Sequence, residues 1–190
     1  MKKLTTLIIA LLIAALAAGC AKVNSPEPET QTQPQTTQTE SESVSETETE
    51  APSAADFTVL DEEENEIKLS SLYGKPTVIH FWSTKQKSVK TELEFFNEVF
   101  PEYEGEVNFM LIHLTDRDKE NLFRAKAFML DNGYTFPVYF DLNGEAKKAF
   151  GVEKKPVTVF IDENGNVFKE FKTEITKPVL KGCIEQMLDN

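Results

Sequence analysis

Three textures of apolar and polar residues follow one another along this chain. Residues 7–16 are almost all apolar, residues 21–55 have almost no apolar side chains, and from Asp56 onward short apolar runs alternate with helix-period stripes. In that last region Asp56–Leu60 reads as a short strand before an acidic turn. Ile67-Lys68-Leu69 alternates, and Ser70–Gly74 reads as a capped helical turn closed by glycine. Thr77–Trp82 is a nearly continuous β-branched and aromatic run, which predicts a central strand buried on both faces, and Val107–Leu114 predicts a second buried strand. Phe136–Phe140 and Val157–Ile161 predict two more strands. Asp162-Glu163-Asn164-Gly165 predicts a hairpin turn that returns Val167–Phe171 antiparallel.

Helical spacing fills the gaps. Val89, Leu93, Phe96 and Phe100 make one stripe, stopped by Pro101 and Gly105. Leu122, Ala125 and Met129 make another, closed by Asn132-Gly133, and Ala146–Phe150 is a short helix. Leu180, Cys183, Ile184, Met187 and Leu188 mark the last. Strands alternating with helices, closed by a hairpin and a terminal helix, predict an α/β fold with a central mixed sheet flanked by helices. No internal repeat is present.

The first two textures change the picture of where this domain works. Lys2 and Lys3 precede the apolar run Leu7–Leu16, which is too short to span a bilayer. Leu16-Ala17-Ala18-Gly19-Cys20 follows and resembles the lipobox of a bacterial lipoprotein, with Ala17 where leucine is usual. That resemblance implies a signal peptide over 1–19 and a lipidated Cys20. It also implies anchoring on the extracytoplasmic face of the cell membrane, since two or more acyl chains hold a protein there stably. Residues 20–55 then read as the lipidated cysteine and a disordered acidic Ser/Thr/Gln/Glu/Pro tether, because such a segment cannot bury enough surface to offset its ordering entropy. Residues 56–190 are the domain.

Charge and cysteine count narrow the chemistry. The domain carries 17 Lys and Arg against 25 Asp and Glu, a net charge of −8, which argues against general nucleic-acid binding. The chain holds two cysteines. With Cys20 lipidated, Cys183 is the single thiol left, and no internal disulfide can form. Cys183 lies on the apolar stripe of the terminal helix, where a thiol behaves as a small hydrophobe.

The segment Phe81-Trp82-Ser83-Thr84-Lys85-Gln86-Lys87-Ser88-Val89-Lys90 resembles the thioredoxin-type active-site turn, in which Phe-Trp is followed after three residues by Cys-x-x-Cys. Gln86 and Val89 occupy the two cysteine positions. Further segments resemble the TlpA/ResA branch of thioredoxin-like redoxins: Asp56-Phe57-Thr58, the Lys-Leu-Ser-Ser-Leu-x-Gly-Lys stretch at 68–75, Phe136-Pro137-Val138 and Phe150-Gly151-Val152. Pro156, followed by Val157–Asp162, resembles that family's cis-proline segment. The resemblance spans the domain and implies a thioredoxin-like fold. It also implies the family's activity, extracytoplasmic thiol–disulfide exchange serving redox homeostasis and cytochrome c maturation.

The same turn departs from what that activity needs. Exchange requires a thiolate to attack and a second thiol to resolve. Gln86 and Val89 supply neither, the family's tryptophan before the first cysteine is Lys85, its proline before the second is Ser88, and a following proline is Glu94. The expectation is a site without catalytic residues, repurposed for binding. Lys85, Lys87 and Lys90 cluster at the predicted helix start, and the implied fold brings Lys154, Lys155 and Pro156 beside them. Helix N-terminal amides favour anions, and Ser83, Thr84 and Ser88 add hydroxyls. Thr84, Lys85, Gln86, Lys87, Lys90, Lys155 and Pro156 are therefore the candidate binding residues for an anion or an extracytoplasmic peptide or protein partner. A thiol–disulfide oxidoreductase working with a borrowed thiol, and a passive envelope lipoprotein without a ligand, are the alternatives. His80 and His113 fall on adjacent predicted strands, His80 where thioredoxins often carry a buried acid and this branch often Asn. Their spacing matches no metal site, so buried, hydrogen-bonded core roles are expected. Asp116 and Asp118 read as a solvated loop and helix cap. No cofactor and no metal is expected.

Overall fold

A computed structural model describes residues 52–190. The signal peptide, the lipidation site at Cys20 and nearly all of the tether expected from the sequence lie outside the described residues. Eleven regular elements follow in order: β1 Thr58–Leu60, β2 Glu66–Lys68, β3 Thr77–Trp82, α1 Val89–Val99, β4 Asn108–His113, α2 Lys119–Asn132, β5 Val138–Phe140, α3 Glu145–Ala149, β6 Val157–Ile161, β7 Val167–Phe171 and α4 Lys177–Leu188.

The strands form one mixed sheet in the order β2-β1-β5-β4-β3-β6-β7. β3, β4 and β5 run parallel, while β6 is antiparallel to β3 and β7 to β6. Every residue of β3 is buried, as its nearly continuous apolar run leads one to expect of a strand covered on both faces. Alternate residues then serve two cores. Val78 and Trp82 face Leu93 and Phe96 of α1, Leu122 and Met129 of α2, and Leu180 and Ile184 of α4. Ile79 and Phe81 face the other way, onto Phe57, Leu69 and Ala146. The strands and helices expected from the sequence are all present, and the mixed α/β architecture is the observed one.

Some details differ. The ordered domain begins before Asp56: Ser53 bridges Asn166, the Ala54 amide donates to the Gly165 carbonyl at 2.9 Å, and Ala54 is buried. The boundary expected at 55/56 therefore falls a few residues late, because backbone pairing holds a segment that its composition marks as polar. The helical turn after β2 is a 3-10 segment, Leu69–Leu72. It is held by the Asp56 carboxylate, which accepts from the Ser70 amide at 3.0 Å and the Ser70 hydroxyl at 2.9 Å. Leu188, assigned to the buried stripe of α4, is exposed at the helix end. At the β6–β7 hairpin Gly165 has φ of 87°, and a Cβ there would run into the Tyr73 ring.

Candidate functional site

The site forms where β3 ends and α1 begins. Trp82 is fully buried, and the chain then turns through Ser83–Ser88 before α1 starts at Val89. Gln86 is half-buried in that turn and Val89 packs into the core of the first face. The loop before β6 lies alongside, with the Lys155–Pro156 peptide bond cis. Turn and loop enclose a shallow cleft of 430 Å³ lined by Ser83, Lys85, Gln86, Lys154 and Lys155. Three of the five lysines expected to converge do so. Lys87 and Lys90 are exposed and do not line the cleft. Pro156 is buried beneath its loop, and Thr84 contributes its backbone rather than its hydroxyl.

Beneath the turn lies an acid that the sequence reading passed over. Glu92 is buried on α1, one position before Leu93 in the apolar stripe. Its Oε1 accepts from the Gln86 amide at 2.8 Å and the Ser88 hydroxyl at 2.5 Å. Its Oε2 lies 3.4 Å from Nε2 of His80. That contact is electrostatic rather than a well-formed hydrogen bond, so both atoms lack a full partner. On its other side His80 meets the Thr158 hydroxyl of β6 at 3.0 Å. Burial pushes the Glu92 carboxyl up, but His80, Ser88 and Gln86 outweigh it and hold the group below its usual value. Burial pushes His80 down, against the pull of Glu92. The pair is thus an ionised glutamate beside a neutral imidazole. The signal for Glu92 was an acid sitting within a helical apolar stripe.

His113 stands across Trp82, its ring centroid 4.7 Å from the indole's. Its Nε2 accepts from the Thr84 amide at 3.5 Å, which leaves the ring proton on Nδ1 with no acceptor. Burial is the main reason that its pKa falls to about 4, and Lys155 and Lys85 push the same way against Asp116. Lys155 is itself held down, chiefly by burial and further by Lys147 and Lys85. Asp116 is the acid that acts on both groups, and it pairs with Lys147 at 3.2 Å. None of Lys85, Lys154 and Lys155 is ion-paired among the described residues. Asp118 caps α2 by accepting from the Glu120 amide, as its position suggested.

The described residues contain one thiol, Cys183, buried in α4 against the first core, and burial raises its pKa. No group of His, Cys, Asp and Glu able to hold a metal ion occurs among the described residues. None of their helices is long and apolar enough to cross a membrane.

Comparison with known proteins agrees with this architecture. The AhpC/TSA family profile matches residues 51–169. A thiol-disulfide oxidoreductase ResA from Bacillus thuringiensis subsp. konkukian is 34% identical over 134 residues, covering 70% of this chain and 76% of that protein. The crystal structure of StoA from Bacillus subtilis superposes with a TM-score of 0.60 at 24% identity, over 68% of this chain and 96% of that one. The pneumococcal exposed lipoprotein thioredoxin of Streptococcus pneumoniae TIGR4 gives 0.61 at 21% identity, over 70% and 99%. Both structures share the thioredoxin-like fold.

Proposed function

The chain belongs to the AhpC/TSA family, and from that membership we propose that it is a redox-inactive, ResA-like accessory module that holds an acidic peptide or other anion. The observation that carries this reading is how the turn is filled. Gln86 turns its amide inward onto Glu92 and Ser88, while Lys85, Lys154 and Lys155 take the rim of the cleft without acid partners. An amide cannot become a nucleophile at neutral pH, and a buried valine cannot resolve a mixed disulfide. What the turn retains is positive charge beside the start of a helix, where backbone amides add to it. Attachment to the extracytoplasmic face through Cys20 belongs to the same proposal. It is supported by the lipobox-like Leu16–Cys20 and by likeness to an exposed lipoprotein.

The test is a titration of the full chain with triglutamate at low ionic strength, beside the Lys85→Gln/Lys155→Gln variant. Binding that weakens about tenfold in the variant, some 1.4 kcal/mol, supports the cleft. Binding that ignores the change removes it.

One observation favours a second reading, that of a thiol–disulfide oxidoreductase: 34% identity to a protein of that activity. Insulin-disulfide reduction separates the two. The native chain is expected to be silent, and Gln86→Cys/Val89→Cys to restore turnover. Turnover by the native chain would send the chemistry to Cys183 and sink the accessory reading.

A further inference from the structure

The basic surface does not end at the cleft. Lys154 also lines a second hollow of 390 Å³ with Gly151, Glu153, Val157 and Lys172. Lys172 directly follows β7, the last strand of the sheet. Lys169 is exposed on that strand, its ammonium 5.5 Å from the Phe171 ring centroid. Lys85, Lys155, Lys154, Lys172 and Lys169 thus follow one another from the α1 turn, across the loop and onto the sheet edge, in a domain whose net charge is negative.

Among the described residues the edge itself is open where the lysines are. β7 pairs with β6 on one side. On the other, its first residue alone is taken, the Val167 amide donating to the Pro52 carbonyl at 2.9 Å. Pro52 has no N–H to return to Val167, so it cannot carry that ladder on. Phe168–Phe171 have no partner on this outer side among the described residues.

We propose that this edge and the cleft form one track for an extended acidic segment of a partner protein. The segment's backbone pairs with β7, and its carboxylates meet Lys169, Lys172, Lys154, Lys155 and Lys85. The proposal rests on the cleft reading above and extends it to a partner and a path. Four residues of edge take about 13 Å of strand, at roughly 3.3 Å each, before the segment reaches the hollow. Charge complementarity chooses the occupant. Lysines on an open edge deter pairing between copies of a chain and neutral strands, and favour a strand that brings carboxylates. Two acids lie on the track, Glu153 and Glu170. Glu170 is engaged with Lys172 at 3.4 Å in an exposed pair, which an incoming carboxylate exchanges at little cost.

The experiment binds three decapeptides to the full chain at low salt: alternating Glu-Thr, alternating Gln-Thr and alternating Glu-Pro. Glu-Thr should bind best. Gln-Thr loses the charge, and Glu-Pro keeps the charge but lacks alternate N–H donors, so each should bind at least about tenfold more weakly. The double change Lys169→Glu/Lys172→Glu, which reverses the charge on whichever face the carboxylates take, should weaken Glu-Thr binding about tenfold and leave triglutamate unaffected. Equal binding of Glu-Thr and Glu-Pro overturns the edge pairing. Indifference to the double change overturns the track while triglutamate binding keeps the cleft. Failure of both probes overturns the two together. Concentration-dependent dimerisation that Glu-Thr peptide competes away would give the edge to a second copy, and would also overturn the assignment.

Discussion

His80 and His113 occupy adjacent parallel strands on the same face of the sheet, with Trp82 between them, and each is about 1% exposed. Their surroundings are opposite. His80 sits against an ionised Glu92 that Gln86 and Ser88 complete from above. His113 feels the charges of Lys155 and Lys85, with its Nδ1 proton unaccepted and the acid that acts on it, Asp116, paired with Lys147. Equal burial therefore does not give equal roles. On the His80 side the negative charge of Glu92 is held by Gln86 and Ser88 beneath the turn. On the His113 side positive charge is left over, and it opens onto the cleft.

The largest test of that contrast removes one acid from each side. Glu92→Ala takes a buried, charge-assisted anchor away from Gln86, Ser88 and His80, and should cost about 4 kcal/mol. Asp116→Ala removes a half-exposed partner of Lys147 and should cost less than about 1 kcal/mol. Urea denaturation at pH 7 reads both. Similar losses would mean that the two sides do not differ in the way the contacts say.

A second test uses pH. Folded His113 stays neutral down to about pH 4, while in the unfolded chain it takes up a proton near the ordinary value of 6.5. Between those values the unfolded chain binds more protons, so stability falls as pH drops from 6.5 to about 4. The loss from this one group is about 3 kcal/mol. His80, lowered by burial, acts in the same direction. The Glu92 carboxyl, held below its usual value of 4.5, keeps its stabilisation down to about that pH and gives it up as the pH falls further toward its folded value. In His113→Asn the stability lost between pH 6.5 and 4 should shrink by the His113 share, about 3 kcal/mol. An unchanged slope would show that the His113 ring is hydrated in the folded state.

How much of this was legible in the sequence follows from what each feature depends on. β3, β4 and β6 could be read from their residues, because a strand covered on both faces is mostly apolar along its whole length. The cleft was half legible. Lys85 and Lys155 could be brought together through the family's arrangement of turn and cis-proline loop. Which lysines point inward depends on how the Ser83–Ser88 turn coils, and composition does not encode that. Glu92 escaped because a stripe reading counts apolar positions and passes over the charged residue between them. The Pro52–Ala54 pairing escaped because it is made by backbone atoms, which carry no mark of residue type.

The smallest expected effect is the sharpest about the open side. Lys155 is the leading charge holding His113 down, ahead of Lys85, though burial is the larger cause. Lys155→Gln removes that charge and keeps a polar side chain of similar reach. Stability should change by less than about 0.5 kcal/mol, since no ion pair is lost and one repulsion is relieved. The His113 titration, followed by NMR of its ring, should move upward by a fraction of about one unit. Lys85→Gln should move it less. Such ordered shifts mean that the lysines and the imidazole share one field, and that an anion entering the cleft would raise the same titration. If His113 keeps its value of about 4 in both variants, burial alone sets it. The lysines would then point into solvent too far from the ring to be felt, and the contrast between the two histidines would reduce to the presence or absence of Glu92.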